Sequence, residues 1–169
     1  MSRKPGVRTV VYLGVLTALE IVLSRFLSIS AWNMKIGFSF VPVAAAAMLF
    51  GPLAGGIVGA LGDLLGAVLF PIGPYFPGFT LTAFLTGAVF GLFLHRRRTA
   101  LATLGAVAVN QLLLSLLLNT LWISLLYGSP FLPLLTTRLV QCAILAPVQF
   151  AVLLLMNKAL EKYGKRLLT

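Results

Sequence analysis

The residues able to do chemistry in this sequence are few. The chain has three acids, Glu20, Asp63 and Glu161, and one histidine, His95, against thirteen basic residues. General acid–base work needs titratable groups held near one another, and this supply argues against an enzyme. Walker loops, nucleotide-binding glycine fingerprints and metal-ligand spacings are also missing from the sequence. Recognition is better provided for. Arg25, Lys35 and Arg138 stand apart from the other cations, with no acid in the neighbouring loops. Together they suggest a positive vestibule for an anion. The plainer alternative is that each snorkels to a lipid phosphate, and for Lys35 that reading is preferred.

Aromatic and polar residues extend the recognition reading. The segment PIGPYFPGF holds three prolines and two glycines within nine residues, with Tyr75, Phe76 and Phe79 among them. Proline restricts the backbone, so these rings are held in place. They form either an interfacial aromatic belt or a semi-rigid lid that stacks on a planar ligand. Trp32 and Trp122 could serve in the same way. Asn119, Gln141 and Gln149 are costly against lipid and are expected to face inward. Asp63 has to be protonated, paired, or bound to a ligand donor, because a bare carboxylate within a span costs a few kcal/mol or more. Cys142 reads as a packing residue, and His95 as interfacial.

These residues need a scaffold, and composition says which kind. The chain has 169 residues, 60% hydrophobic and 9% charged, with a mean hydropathy of +1.05. A soluble domain carries roughly 25% charged residues. No charged side chain interrupts Gly37 to Gly62 or Leu64 to Leu94, and about 20 apolar residues suffice for one span. The expectation is an all-α integral membrane protein, one domain over 1–169 and a bundle of six transmembrane helices. Glycine, proline and charge breaks place the spans at about Val10–Ile29, Gly37–Phe50, Ala54–Phe70, Phe79–Leu94, Leu101–Tyr127 and Leu134–Leu160. No cleavable leader is expected, since the first apolar run has about the length of a full span.

Charge sets the direction. Six spans gather Arg3, Lys4, Arg8, Arg96, Arg97, Arg98, Lys158, Lys162, Lys165 and Arg166 on one side. By the positive-inside rule that side, with the N-terminus and C-terminus, is cytoplasmic. The net charge of +10 is then explained by topology and the lipid bilayer, with no nucleic acid partner. Gly55, Gly59, Asp63 and Ala67 share one face of the third helix, and Gly14 and Ala18 form a small-xxx-small pair on the first. Small residues of this kind let helices dock closely.

The sequence resembles a known family: the substrate-binding S components of energy-coupling factor (ECF) vitamin transporters, in particular the folate type, FolT. The likeness covers nearly the whole chain. It is strongest over KIGFSFVPV and FGPLAGGIVGALGDLLGAVLFPIGPYFPGFTLTAFLTGAVFGLFL, and continues through NTLW and TTRLVQCAILAPVQ. The resemblance implies high-affinity vitamin capture in an outward-facing pocket, gated by the loops joining helices one and two and helices three and four. It also implies an ECF module, with a transmembrane coupling protein (EcfT) and two ATPases, docked through Gly14 and Ala18. In such systems the S component is thought to topple to release its ligand inward. No cofactor is implied, and folate is the ligand. On this likeness Arg25, Arg138 and Lys35 would meet its anionic end, with arginine suited to bidentate contact. Phe40, Tyr75, Phe76 and Trp122 would contact its rings, and Asp63, Asn119 and Gln141 its polar groups. Two alternatives remain: an S component for another vitamin or a queuosine-like precursor, and a small stand-alone channel or structural membrane protein.

Overall fold

Breaks in the apolar chain fall where glycine and proline dictate. The computed structural model describes residues 6–30, 35–97 and 99–168. Helix α1 (Val7–Arg25) leads into a hairpin of β1 (Ile29–Ser30) and β2 (Lys35–Ile36), antiparallel with Ile29 opposite Ile36. Helix α2 (Phe40–Phe50) stops at Gly51, whose φ of 98° suits glycine far better than any other residue. Pro52 then opens α3 (Pro52–Leu69), and Pro77 opens α4 (Pro77–Leu94). At the first turn of a helix the missing N–H of proline costs nothing. Thr99 caps α5 (Ala100–Tyr127) by accepting the Ala102 N–H at 3.2 Å. Gly128, left-handed at φ 62°, ends it, and α6 (Phe131–Leu168) follows.

The described residues thus form six helices, of which five are long and apolar enough to cross a membrane. The exception is α2. Its eleven residues cover about 16 Å, roughly half of a hydrocarbon core about 30 Å thick. The expected first span ended at Ile29, but the helix stops at Arg25 because the chain turns into the hairpin. The second begins at Phe40 rather than Gly37 for the same reason. The last helix starts at Phe131 and runs on past Leu160, carrying Lys158 and Lys162 on its final turns.

Helices α3 and α4 touch backbone to backbone. A β-carbon on Gly87 would fall on the Gly55 main chain, and one on Gly91 would fall on Pro52. In lipid no hydrophobic force draws helices together, so such close van der Waals contact is what holds the pair. Helices α1 and α2 pack on α3, while α5 and α6 close the other side. Beneath lies a core that includes Ala47, Met48, Val58, Phe90, Leu94 and Leu153. His95, partly exposed at the end of α4, has its Nδ1 3.1 Å from the Met48 carbonyl oxygen near the end of α2.

Two irregularities shape the second half. Within α5, Val109–Leu118 is π-helical, a conformation usually confined to single turns and often found at functional sites. Within α6, Pro147 lacks an N–H and crowds the preceding turn. Both stretches contribute side chains to the same cavity.

Candidate functional site

At the hairpin end of the bundle, between α1–α4 on one side and α5–α6 on the other, lies a cavity of about 400 Å³. Small-molecule sites occupy about 300–1,000 Å³. Of the residues singled out from sequence, Arg25, Phe40, Asp63, Tyr75, Phe76, Asn119, Arg138 and Gln141 line it. Trp122 does not. It lies behind Phe76, ring centroids 5.6 Å apart, and its Nε1 donates to Thr82 Oγ1 at 3.0 Å. The indole therefore backs the wall. The Lys35 side chain, Trp32, and the side chains of Lys165 and Arg166 lie outside the described residues, as do Arg3, Lys4 and Arg98.

The isolated-cation reading fails for Arg25. Its Nη2 stands 3.8 Å from Asp63 Oδ1 and donates to the Asp63 carbonyl at 3.3 Å. The outer loops hold no acid, and the partner sits within α3 instead. Asp63 is itself held on its other oxygen, since Thr80 Oγ1 donates to Oδ2 at 2.7 Å. Tyr75 OH lies 3.2 Å from Thr80 Oγ1. A continuous polar chain thus ties the proline-aromatic loop to the end of α1. Arg138 is buried on the opposite wall at 5% exposure, where Nη2 donates to the Ser115 carbonyl at 3.1 Å. Gln141 is buried one turn along, and Asn119 Oδ1 is buried with no hydrogen-bond partner among the described residues.

The inner end of the cavity is polar. Gln149, expected from the sequence to face inward, meets Thr86, Asn110 and Gln111 there, three residues the sequence did not single out. Thr86 Oγ1 donates to Asn110 Oδ1 at 3.0 Å. Gln149 Oε1 accepts from both Asn110 Nδ2, at 3.1 Å, and Gln111 Nε2, at 3.0 Å. Glu20, also missed, lines the cavity and lies over the bare surface of Gly62. The available signal was an Asn-Gln pair inside an otherwise apolar run. Among the described residues no three His, Cys, Asp or Glu side chains gather to hold a metal.

This arrangement is suited to binding: two guanidinium groups, two carboxylates, several amides and held aromatic rings line one cavity. The family model described as "ECF-type riboflavin transporter, S component" matches residues 4–161. The chain belongs to the S components of ECF-type transporters. This S component is 43% identical to the folate transporter FolT of Clostridium novyi, over 87% of this chain and 86% of that protein. It is 30% identical to FolT of Leuconostoc mesenteroides, over 97% and 93%. A solved structure, the crystal structure of FolT bound with folic acid, superposes with a TM-score of 0.87 at 35% identity, covering 91% of this chain and 95% of that one. An S component is a transporter subunit rather than an enzyme, and this one is a multi-pass membrane protein.

The two residues expected to dock a coupling protein face away from the cavity. Gly14 and Ala18 are exposed on α1, and nothing lies within 4 Å of where a Gly14 β-carbon would stand.

Proposed function

We propose that this S component captures folate from outside the cell and hands it inward with an ATP-driven ECF module. The observation that carries the reading is the cavity itself, with a buried arginine toward its mouth and a cluster of amides at its inner end. Arg138 and Gln149 are eleven residues apart on α6, about 16 Å along the axis. That separation suits a long ligand with a polar fused ring at one end and a dianionic glutamate at the other. The ring lies inward and the glutamate meets Arg138, with Arg25 and Lys35 at the mouth. Phe40, Tyr75 and Phe76 pack on the ligand's rings between, and Asp63, Asn119 and Gln141 take its remaining polar groups.

The relatives named FolT support this assignment, since they cover most of both chains. In the same reading α2 and its flanking hairpin complete a sixth crossing, and both chain ends are cytoplasmic, as the basic residues require. The module comprises a transmembrane coupling protein, EcfT, and two ATPases, approached through Gly14 and Ala18. The description of the matching family model favours riboflavin as a second reading.

Titration of the purified protein with folic acid and with riboflavin, following Trp122 fluorescence behind Phe76, separates the two. Tight, saturable folate binding with far weaker riboflavin binding is expected. Micromolar or weaker folate binding beside tighter binding of another vitamin would overturn the assignment.

A further inference from the structure

The inner end of the cavity is not merely polar; its hydrogen bonds have a direction. The Thr86 hydroxyl hydrogen goes to Asn110 Oδ1, which turns the Asn110 amide hydrogens toward Gln149. Gln149 Oε1 then takes hydrogens from two amides at once. A carbonyl oxygen has two lone pairs, so both are committed. With its Nε2 held on Gln149, Gln111 has its oxygen left over. That Oε1 is buried, has no hydrogen-bond partner among the described residues, and belongs to a side chain 5% exposed on the cavity wall. A buried acceptor without a donor costs free energy, and a ligand donor removes that cost. The carboxylate of Glu20 lines the same cavity.

We propose that Gln149 is a positioning residue that makes the cavity's inner end an acceptor face, selecting a ring whose edge donates hydrogen bonds, of the 2-aminopyrimidinone type, over one whose edge is a dione. Gln149 acts through Asn110 and Gln111, and the ligand meets Gln111 Oε1. The proposal rests on the folate reading and sharpens it, because a pterin carries such a donor edge and a flavin carries carbonyls in its place. The π-helical stretch of α5 is what presents two consecutive amides to one glutamine.

The test compares folic acid with 2-desaminofolic acid on the intact purified protein. A buried acceptor left without a donor weakens binding about tenfold or more. The wild type is expected to show that preference for folic acid. Gln149→Met removes the shared acceptor at similar volume, and should bring the two affinities close together. Gln149→Glu can still accept from both amides and should restore the preference. Unchanged binding of p-aminobenzoylglutamate, which lacks the fused ring, reports that each variant retains its fold and its outer site. Equal wild-type affinity for the two ligands overturns the acceptor face, as does tighter binding of 2-desaminofolic acid. A Gln149→Met protein that still prefers folic acid overturns the role of Gln149. Absence of folic acid binding to the wild type, with another vitamin bound tightly, instead overturns the folate reading on which the proposal rests.

Discussion

The Arg25 guanidinium is held by Asp63 across two helices, 3.8 Å from Oδ1 and 3.3 Å from the main-chain oxygen. The two side chains are 11% and 23% exposed, so the pair is shielded without being sealed. Removing one partner strands the other, and Asp63→Leu is expected to destabilise by about 1–3 kcal/mol. Arg25→Met with Asp63→Leu should cost less than the sum of the two single changes, because neither charge is then left alone. Thermal unfolding of the four proteins in detergent measures this coupling. Strict additivity would show that the contact carries no energy.

Glycine at position 87 is a steric requirement. Its missing β-carbon lets α4 meet the Gly55 main chain, and a backbone has nowhere to retreat. Gly87→Ala is expected to destabilise by about 1–3 kcal/mol or more. Gly14→Ala supplies the contrast, since open space surrounds that position. It should leave stability unchanged or raise it by up to about 1 kcal/mol. Melting temperatures of the two variants should diverge in opposite directions from the wild type, or in one direction only for Gly87→Ala.

The helices were legible in the sequence because hydropathy and glycine-proline punctuation act locally. Gly51-Pro52 ends one helix and begins the next, and the structure breaks there. The hairpin was not legible: Ile29 and Ile36 are as apolar as helix residues, and only their pairing across the turn makes them strands. Arg25 and Asp63 each stand out singly in the sequence. Their pairing depends on α1 crossing α3, which no local pattern reports. Asn110 and Gln111 were missed for a different reason. Helical periodicity sends consecutive residues about 100° apart, which argues against a shared partner. The π-helical backbone and a long side chain on α6 bring both to Gln149.

Arg138 should report on the ligand's carboxylates. Its guanidinium is buried and oriented by the Ser115 carbonyl, and lysine reproduces neither the planar fork nor the reach. Arg138→Lys is expected to weaken folic acid binding at least about tenfold. Pteroic acid, which lacks the glutamate, should bind the wild type more weakly than folic acid does and should be indifferent to the substitution. Isothermal titration of both ligands against both proteins closes the comparison. An equal loss for pteroic acid would place Arg138 away from the anionic end.

The exposed face of α1 separates capture from transport. Gly14 and Ala18 are both exposed, open space surrounds the Gly14 β-carbon position, and neither residue lines the cavity. Substitutions there are expected to leave folate affinity and melting temperature near wild type, since exposed changes usually stay within about 0.5 kcal/mol. Close helix docking, by contrast, tolerates only small residues at the crossing point. Gly14→Leu and Ala18→Leu should therefore abolish co-purification with the coupling protein and its ATPases, and with it folate uptake into vesicles. Retained association in both variants would move the docking surface elsewhere on the bundle. Lost folate binding would show instead that α1 supports the pocket from behind.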